Sequence, residues 1–169
     1  MKRRAFFGAM GLMGCGYHVG GKADLMPKTV KTIAIPTFGN LTTRYKIADR
    51  LGNAVSREFL TRTRYQIVAD PNGADAVLTG VVMNYVAFPT VVDQVTSRAA
   101  GVQIQVILRL TLTDKASGKV LFTRPNMEVR ERYEISIDQN QYFEESESAL
   151  ERLSRDVARS VVSAVLSGF

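Results

Sequence analysis

The residue best placed for covalent chemistry is Cys15, the single cysteine of the chain. It follows an apolar stretch, Ala5 to Met13, that is itself preceded by Lys2, Arg3 and Arg4. A basic start and a short apolar run are the layout of a secretory signal, and this run is too short to span a bilayer. Leu12-Met13-Gly14-Cys15 resembles a bacterial lipobox, where small residues admit a peptidase and the thiolate takes diacylglycerol in thioether linkage. Cleavage then frees the Cys15 amine for a second acylation, by palmitate or a similar chain. Diacylglycerol and that extra chain together exceed the two signals that stable anchoring takes, at ~0.8 kcal/mol for each buried CH2. A lone Cys can also be a small buried hydrophobe, but that role does not account for its place directly after such a segment. Gly16 rather than Asp follows the Cys, which favours the outer membrane over retention in the inner one. Arg3-Arg4-Ala5-Phe6 has the look of a twin-arginine fragment, but any basic leader supplies such a pair.

Other reactive side chains do not converge. The single histidine, His18, has no second His or Cys with which to build a metal site or a nucleophilic triad. Asp49, Glu58, Asp70, Asp75, Asp93 and Asp114 are scattered over helix faces and turns rather than paired across a cleft. Gly20-Gly21-Lys22 precedes any strand and lacks phosphate-loop spacing. The sequence therefore implies a protein that is not an enzyme and holds no metal or cofactor. Its candidate binding groups are cations: Arg98, Arg109, Arg124, Arg130 and Arg132. Arg130 and Arg132 have the i,i+2 spacing that puts both on one face of a strand. Guanidinium pairs bidentately with phosphate, so an anionic lipid phosphate suits Arg98, Arg130 and Arg132. Glu128, Glu131 and Glu134 interleave with them, and an ordinary solvated face explains the same pattern.

The elements that must position these groups follow from periodicity. Gly16 to Pro27 is Gly-rich and reads as a tether. Thr29 to Pro36 is β-branched and reads as a strand. Ile47, Leu51, Val55 and Phe59 recur every four residues, which predicts a helix with Thr42 or Thr43 as its cap. Tyr65 to Val68 suits a short strand, and Asp70-Pro71-Asn72-Gly73 a turn. Ala74 to Phe88 reads as a buried strand, and Pro89 to Ala100 as a long, protruding connection. Val102, Ile104, Val106, Leu108, Leu110 and Leu112 alternate with Gln103, Gln105, Ile107, Arg109, Thr111 and Thr113, so one face of that strand is buried and one is wet. A last strand runs from Val120 to Ile135, with Pro125 marking an edge or a bulge. A long helix covers about Gln141 to Ser167, capped by Asp138 or Asn140, with Phe143, Leu150, Leu153, Val157, Val161 and Val165 in one stripe and Glu151 paired with Arg155. The expected fold is α+β: a two-layer sandwich in the order β-α-β-β-β-α, its mixed four-stranded sheet carrying both helices on one face. Residues 1–14 form the signal, 15–28 the acylated Cys and tether, and 29–169 one domain.

Bulk properties bound the function. The 169 residues are 46% hydrophobic, which fits one globular domain and excludes wholesale disorder. The formal charge is +6, but the three cations of the leader supply half of it, leaving 19 Lys and Arg against 16 Asp and Glu. With export and no aromatics interleaved among the arginines, nucleic acid is a poor partner.

Cys15-Gly16-Tyr17-His18, then Val30-Lys31-Thr32-Ile33-Ala34-Ile35-Pro36-Thr37-Phe38 with Asn40, then Ala74-Asp75-Ala76-Val77-Leu78-Thr79-Gly80, together with the element order, resemble the lipopolysaccharide-assembly lipoprotein family, LptE. The resemblance implies a lipoprotein on the periplasmic face of the outer membrane that plugs an LptD-type β-barrel, which inserts lipopolysaccharide into the outer leaflet. It also implies basic lipopolysaccharide contacts. One, before the third main strand, matches Arg98. The other falls near the start of the last helix, where this chain has Glu144, Glu145 and Glu147 instead. The residues leave two other readings open: a periplasmic carrier with a lipid pocket of its own, and a general envelope accessory lipoprotein.

Overall fold

The structure is a computed structural model and describes residues 26–27, 29–92, 94, 99–134 and 139–167. Cys15, His18 and Arg98, the segment 1–14, most of the tether, and the cap candidate Asp138 lie outside the described residues. Its elements are β1 (Thr32–Ala34), β2 (Gly39–Asn40), α1 (Ile47–Arg62), β3 (Gln66–Val68), β4 (Ala76–Val92), β5 (Ala99–Asp114), β6 (Val120–Glu134) and α2 (Gln139–Ser167). One mixed sheet runs β3-β1-β4-β5-β6, with β2 also paired to β4. The α+β class is as expected. The sheet has six strands instead of four, because β3 joins β1 in parallel and the two-residue β2 joins β4 in parallel.

β5 is the spine of the sheet. Its six alternating aliphatics, Val102 to Leu112, are buried against the helices, and the intervening residues turn to the other face. α1 buries Ile47, Leu51, Val55 and Phe59 as its spacing requires, together with Ala48, Gly52 and Ala54. α2 buries Leu150, Leu153, Val157, Val161 and Val165. It also buries Ala149, Ala158 and Val162, a wider stripe than expected, because α2 packs on both α1 and β6.

Several local expectations are corrected. The cap of α1 is Lys46, in the left-handed region at φ 60°, and its side chain makes no cap bond. Thr42 is occupied elsewhere: its amide and hydroxyl both donate to Asn40 Oδ1, at 2.9 and 2.8 Å. Of the protruding connection expected from Pro89 to Ala100, residues 89–92 and 99–100 are strand, and residues 93 and 95–98 lie outside the described residues. β4 continues to Val92, with Phe88, Pro89, Val91 and Val92 opposite Gln103, Val102, Gly101 and Ala99. Register shifts beside Pro89 absorb the irregular residues, and an edge position tolerates a proline. Glu151 and Arg155 make no ion pair; α2 is tied instead by Arg152 to Glu131 of β6 at 2.8 Å and by Glu147 to Arg50 of α1 at 2.5 Å.

Within the two described segments behind the family resemblance, Phe38 and Gly80 form a packing joint. Phe38, 3% exposed, sits over Gly80, where an added Cβ would stand 2.7 Å from three atoms of its ring. Gly52 of α1 flanks the same ring, its Cβ position 3.7 Å away. The ring thus wedges between α1 and β4 because two positions lack side chains. Asp75 does a different job. Its carboxylate accepts the amides of Lys31 and Thr32 at 2.8 and 2.9 Å, fixing the start of β1 beside β4.

Those two backbone bonds, Lys31 first, hold the Asp75 carboxyl below its usual range, and the Lys31 charge adds to them. The folded pKa is the lower one, so the stabilisation is present above the unfolded carboxylate value and is lost as pH falls through the folded pKa. Asp75→Asn is therefore expected to lower the melting temperature at pH 7, with the deficit shrinking toward pH ~3. Melting curves of both proteins at the two pH values check this; an equal deficit at both would remove the carboxylate from the account.

Candidate functional site

Both helices pack on one face of the sheet, so the opposite face is a surface by construction. Register assigns its residues. Val77, Thr79 and Val81 of β4 lie opposite Thr113, Thr111 and Arg109 of β5. A bulge at Met83 then shifts the alternation, so Asn84, Val86 and Phe88 continue the same face opposite Ile107, Gln105 and Gln103. On β6, Glu128, Arg130 and Arg132 stand opposite Ile107, Gln105 and Gln103.

The structure therefore brings Arg130 and Arg132 together on the open face, as their spacing requires. Arg109 shares that face, four residues along β5 from the partner of Arg130, or about 14 Å. Arg124 is not part of the group. Leu108 pairs with Met127 and Leu110 with Arg124, so β6 carries one extra residue around Pro125. That residue turns Arg124 to the helix side, where its guanidinium lies 6.0 Å from the Phe122 ring centre. Arg130 is ion-paired with Glu128 beside it. Arg132 is exposed and has no carboxylate partner among the described residues. Glu131 points to the helix side and serves Arg152. Of the three interleaved glutamates Glu128 is ion-paired with Arg130, and Glu134, two residues from Arg132, lies on the open face as well.

Composition alone missed the apolar part of this surface. Val77, Val81, Phe88 and Ile107 are only half-buried, and Val86 is exposed. The signal was Ile107, which breaks the polar set on the wet side of β5. The open face is thus an apolar band with cations at its β6 margin, a surface suited to being covered by something both apolar and anionic.

The helix side offers less. A groove of about 620 Å³ between α1 and α2 is lined by Arg50, Arg57, Glu58, Glu147, Glu151 and Arg155 among others. Its charges are mixed and partly paired. Between sheet and helices the space is filled by Leu51, Val55, Phe59, Leu78, Leu108 and Leu153, all fully buried. A lipid carrier needs room there, so this packing does not favour the carrier reading. Among the described residues no group of three His, Cys, Asp or Glu side chains is placed to hold a metal ion. No described helix is long and apolar enough to cross a membrane.

Comparison with known proteins adds three findings. Residues 30–165 match the model of a family described as LptE, lipopolysaccharide-assembly. No curated protein sequence matches the chain. Solved structures with a similar fold include a lipoprotein from Caulobacter crescentus, with TM-score 0.55, 12% identity and coverage of 78% of this chain and 89% of that one. The rare lipoprotein B from Shewanella oneidensis has TM-score 0.54 and 14% identity, covering 81% of this chain and 95% of that one. A dodecameric PelC from Paraburkholderia phytofirmans, at TM-score 0.52 and 14% identity over 82% and 90% of the two chains, shares the fold as well. At these identities the likeness is one of fold, and a fold alone does not choose a function.

Proposed function

Because the chain belongs to the LptE lipopolysaccharide-assembly family, we propose that it is an outer-membrane lipoprotein, acylated at Cys15, that plugs an LptD-type barrel from the periplasmic side and assists its assembly. The observation that carries the reading is the one-sided sandwich: two helices seal one face of the sheet, and the other presents an apolar band edged by Arg109, Arg130 and Arg132. Such a face is stable in solution only because polar residues interrupt it, and it gains most when a partner covers it. Size supports the fit. A domain of this length has a radius of gyration of roughly 15 Å, and barrels of about 22 strands have lumens that take a plug.

Within this reading Arg98, Arg130 and Arg132 are the proposed contacts to lipopolysaccharide phosphates. The start of α2 is not among them, since its Glu147 is anionic and committed to Arg50. Purification of the full-length chain from detergent-solubilised outer membranes tests the proposal. The expected product is a one-to-one complex with a large barrel that carries lipopolysaccharide. Arg130→Ala with Arg132→Ala is expected to lower the bound lipopolysaccharide several-fold and to leave the complex intact. Recovery of the chain alone would overturn the plug, and unchanged lipopolysaccharide in the double variant would overturn the contact.

A further inference from the structure

Asn40 belongs to the same sequence motif as Phe38 but stays out of the core, where it is exposed. Its side chain instead ties down the connection between β2 and α1. Asn40 Oδ1 accepts the Thr42 amide and hydroxyl, and Asn40 Nδ2 donates to the Arg44 carbonyl at 3.0 Å. The Arg44 amide donates to Thr42 Oγ1 at 3.2 Å, and the Leu41 amide donates to the Val82 carbonyl of β4 at 3.0 Å. One side-chain amide thus spans the loop and fixes its path from strand to helix.

The side chains that this loop presents are unusual for a turn. Leu41 is 68% exposed and Tyr45 82%, the two most exposed large apolar side chains among the described residues. Single apolar residues are ordinary on a surface, but these two share one pinned loop. Two cations accompany them. Lys46 Nζ lies 5.2 Å from the Tyr45 ring centre, and the Arg44 guanidinium 5.6 Å from that of Tyr85. Neither cation is ion-paired among the described residues. Asp49 is the one carboxylate between residues 25 and 57, so the stretch that carries the loop is net positive. Lys46 also holds φ 60°, the one described residue other than glycine in the left-handed region. A turn needed only for its shape is better served there by glycine. A lysine keeps an ammonium group in spite of backbone strain, and strain of this kind gathers at functional positions.

We propose that this loop is a docking knob for a partner protein: Tyr45 and Leu41 enter an apolar recess whose rim carries Asp or Glu set against Arg44 and Lys46. Tyrosine and arginine are prominent among the residues that carry binding energy, and a loop already held in one shape loses little freedom on binding. The recess also excludes water, which strengthens the pairing of cation and carboxylate. An anionic lipid surface is a poorer occupant, since such surfaces are read by clusters of about four to eight cations. A second copy of this chain fits less well, because it brings like charges to one seam. The knob leads into the N-terminus of α1 and lies over Tyr85, which stands opposite the buried Val106 on the helix side of the sheet. It is therefore separate from the open face, and the proposal does not depend on what covers that face.

Azidophenylalanine, close to tyrosine in size, replaces Tyr45 in the full-length chain in its own cells, and the photo-adducts are mapped by mass spectrometry. A second chain carries the same group at Leu60, 58% exposed near the other end of α1. The Tyr45 position is expected to capture one protein, through a segment that bears Asp or Glu, several-fold more than the Leu60 position does. Arg44→Glu with Lys46→Glu is expected to cut that adduct several-fold, and changing the mapped carboxylates of the partner to lysine is expected to restore it. Arg44→Gln with Lys46→Gly removes both charges while easing the backbone, and is expected to cut the adduct in a chain whose circular dichroism is unchanged. Adducts to lipid or to a second copy of the chain would overturn the proposal. So would no adduct, equal capture of the same protein from Leu60, or capture indifferent to both charge variants.

Discussion

Phe38→Ala is expected to lower the unfolding free energy by about 3–5 kcal/mol, the cost of emptying a well-packed aromatic site. A domain of this size has only about 5–15 kcal/mol to lose. The ring is 3% exposed and bears on β4 through Gly80 and on α1 through Gly52, so little of the space can close when it goes. Gly80→Ala attacks the same joint from the other side. Its new Cβ would lie 2.7 Å from the ring atoms, too close for any carbon, and a buried ring has nowhere to swing. The expected cost is about 1–3 kcal/mol, as for other overpacked cores. The pair is coupled. In the Phe38→Ala background the added methyl enters an empty site, so Gly80→Ala should cost little or even recover stability. Urea titrations of the two single variants and the double variant measure this. Additive losses would show that the ring does not require the glycine.

Cys15→Ala is expected to move the protein from fully membrane-bound to fully soluble without altering the domain. The variant should be carried on a cleavable secretory leader, so that an unprocessed signal does not itself act as an anchor, and should be expressed without the barrel proposed as its partner. A single acyl chain gives only marginal, reversible attachment, whereas diacylglycerol with a further chain anchors stably. Removing the thiol therefore removes nearly all of the affinity. Fractionation of cells, with mass spectrometry of the untouched protein, checks both halves: the mature chain should begin at Cys15 and weigh more than its residues. A variant that still sediments with membranes would place the anchor elsewhere.

How far the sequence speaks depends on how regular the chain is. β5 was legible because six aliphatics alternate without a break over strands that pair on both sides. α1 was legible because Ile47, Leu51, Val55 and Phe59 lie on one helical stripe. The distal part of β4 was not, because Pro89 and polar neighbours mimic a loop, and only pairing with β5 keeps them extended. β2 is two residues long and has no periodicity to read. Faces were harder still. The even spacing of Arg124, Arg130 and Arg132 puts all three on one side, yet the extra residue near Pro125 sends Arg124 to the other. The bulge at Met83 does the same to β4 and hides the apolar band of Val81, Val86 and Phe88. A bulge is set by the partner strand, so the one-strand pattern cannot contain it. Local patterns identified Phe38, Gly80 and Asp75 as a resemblance; the ring-on-glycine joint and the paired amides explain why those letters travel together.

Met26 is buried, and the chain enters the sheet through Val30, at the end where Asp75 and Lys115 also lie. Only ten residues lie between Cys15 and Met26. A chain of that length reaches under ~40 Å even when fully extended. If Cys15 carries the lipid proposed for it, the molecule would be moored stern-first, with the turn between β5 and β6 near the bilayer surface. β4 spans roughly 50 Å and carries the opposite tip toward whatever lies farthest from that leaflet.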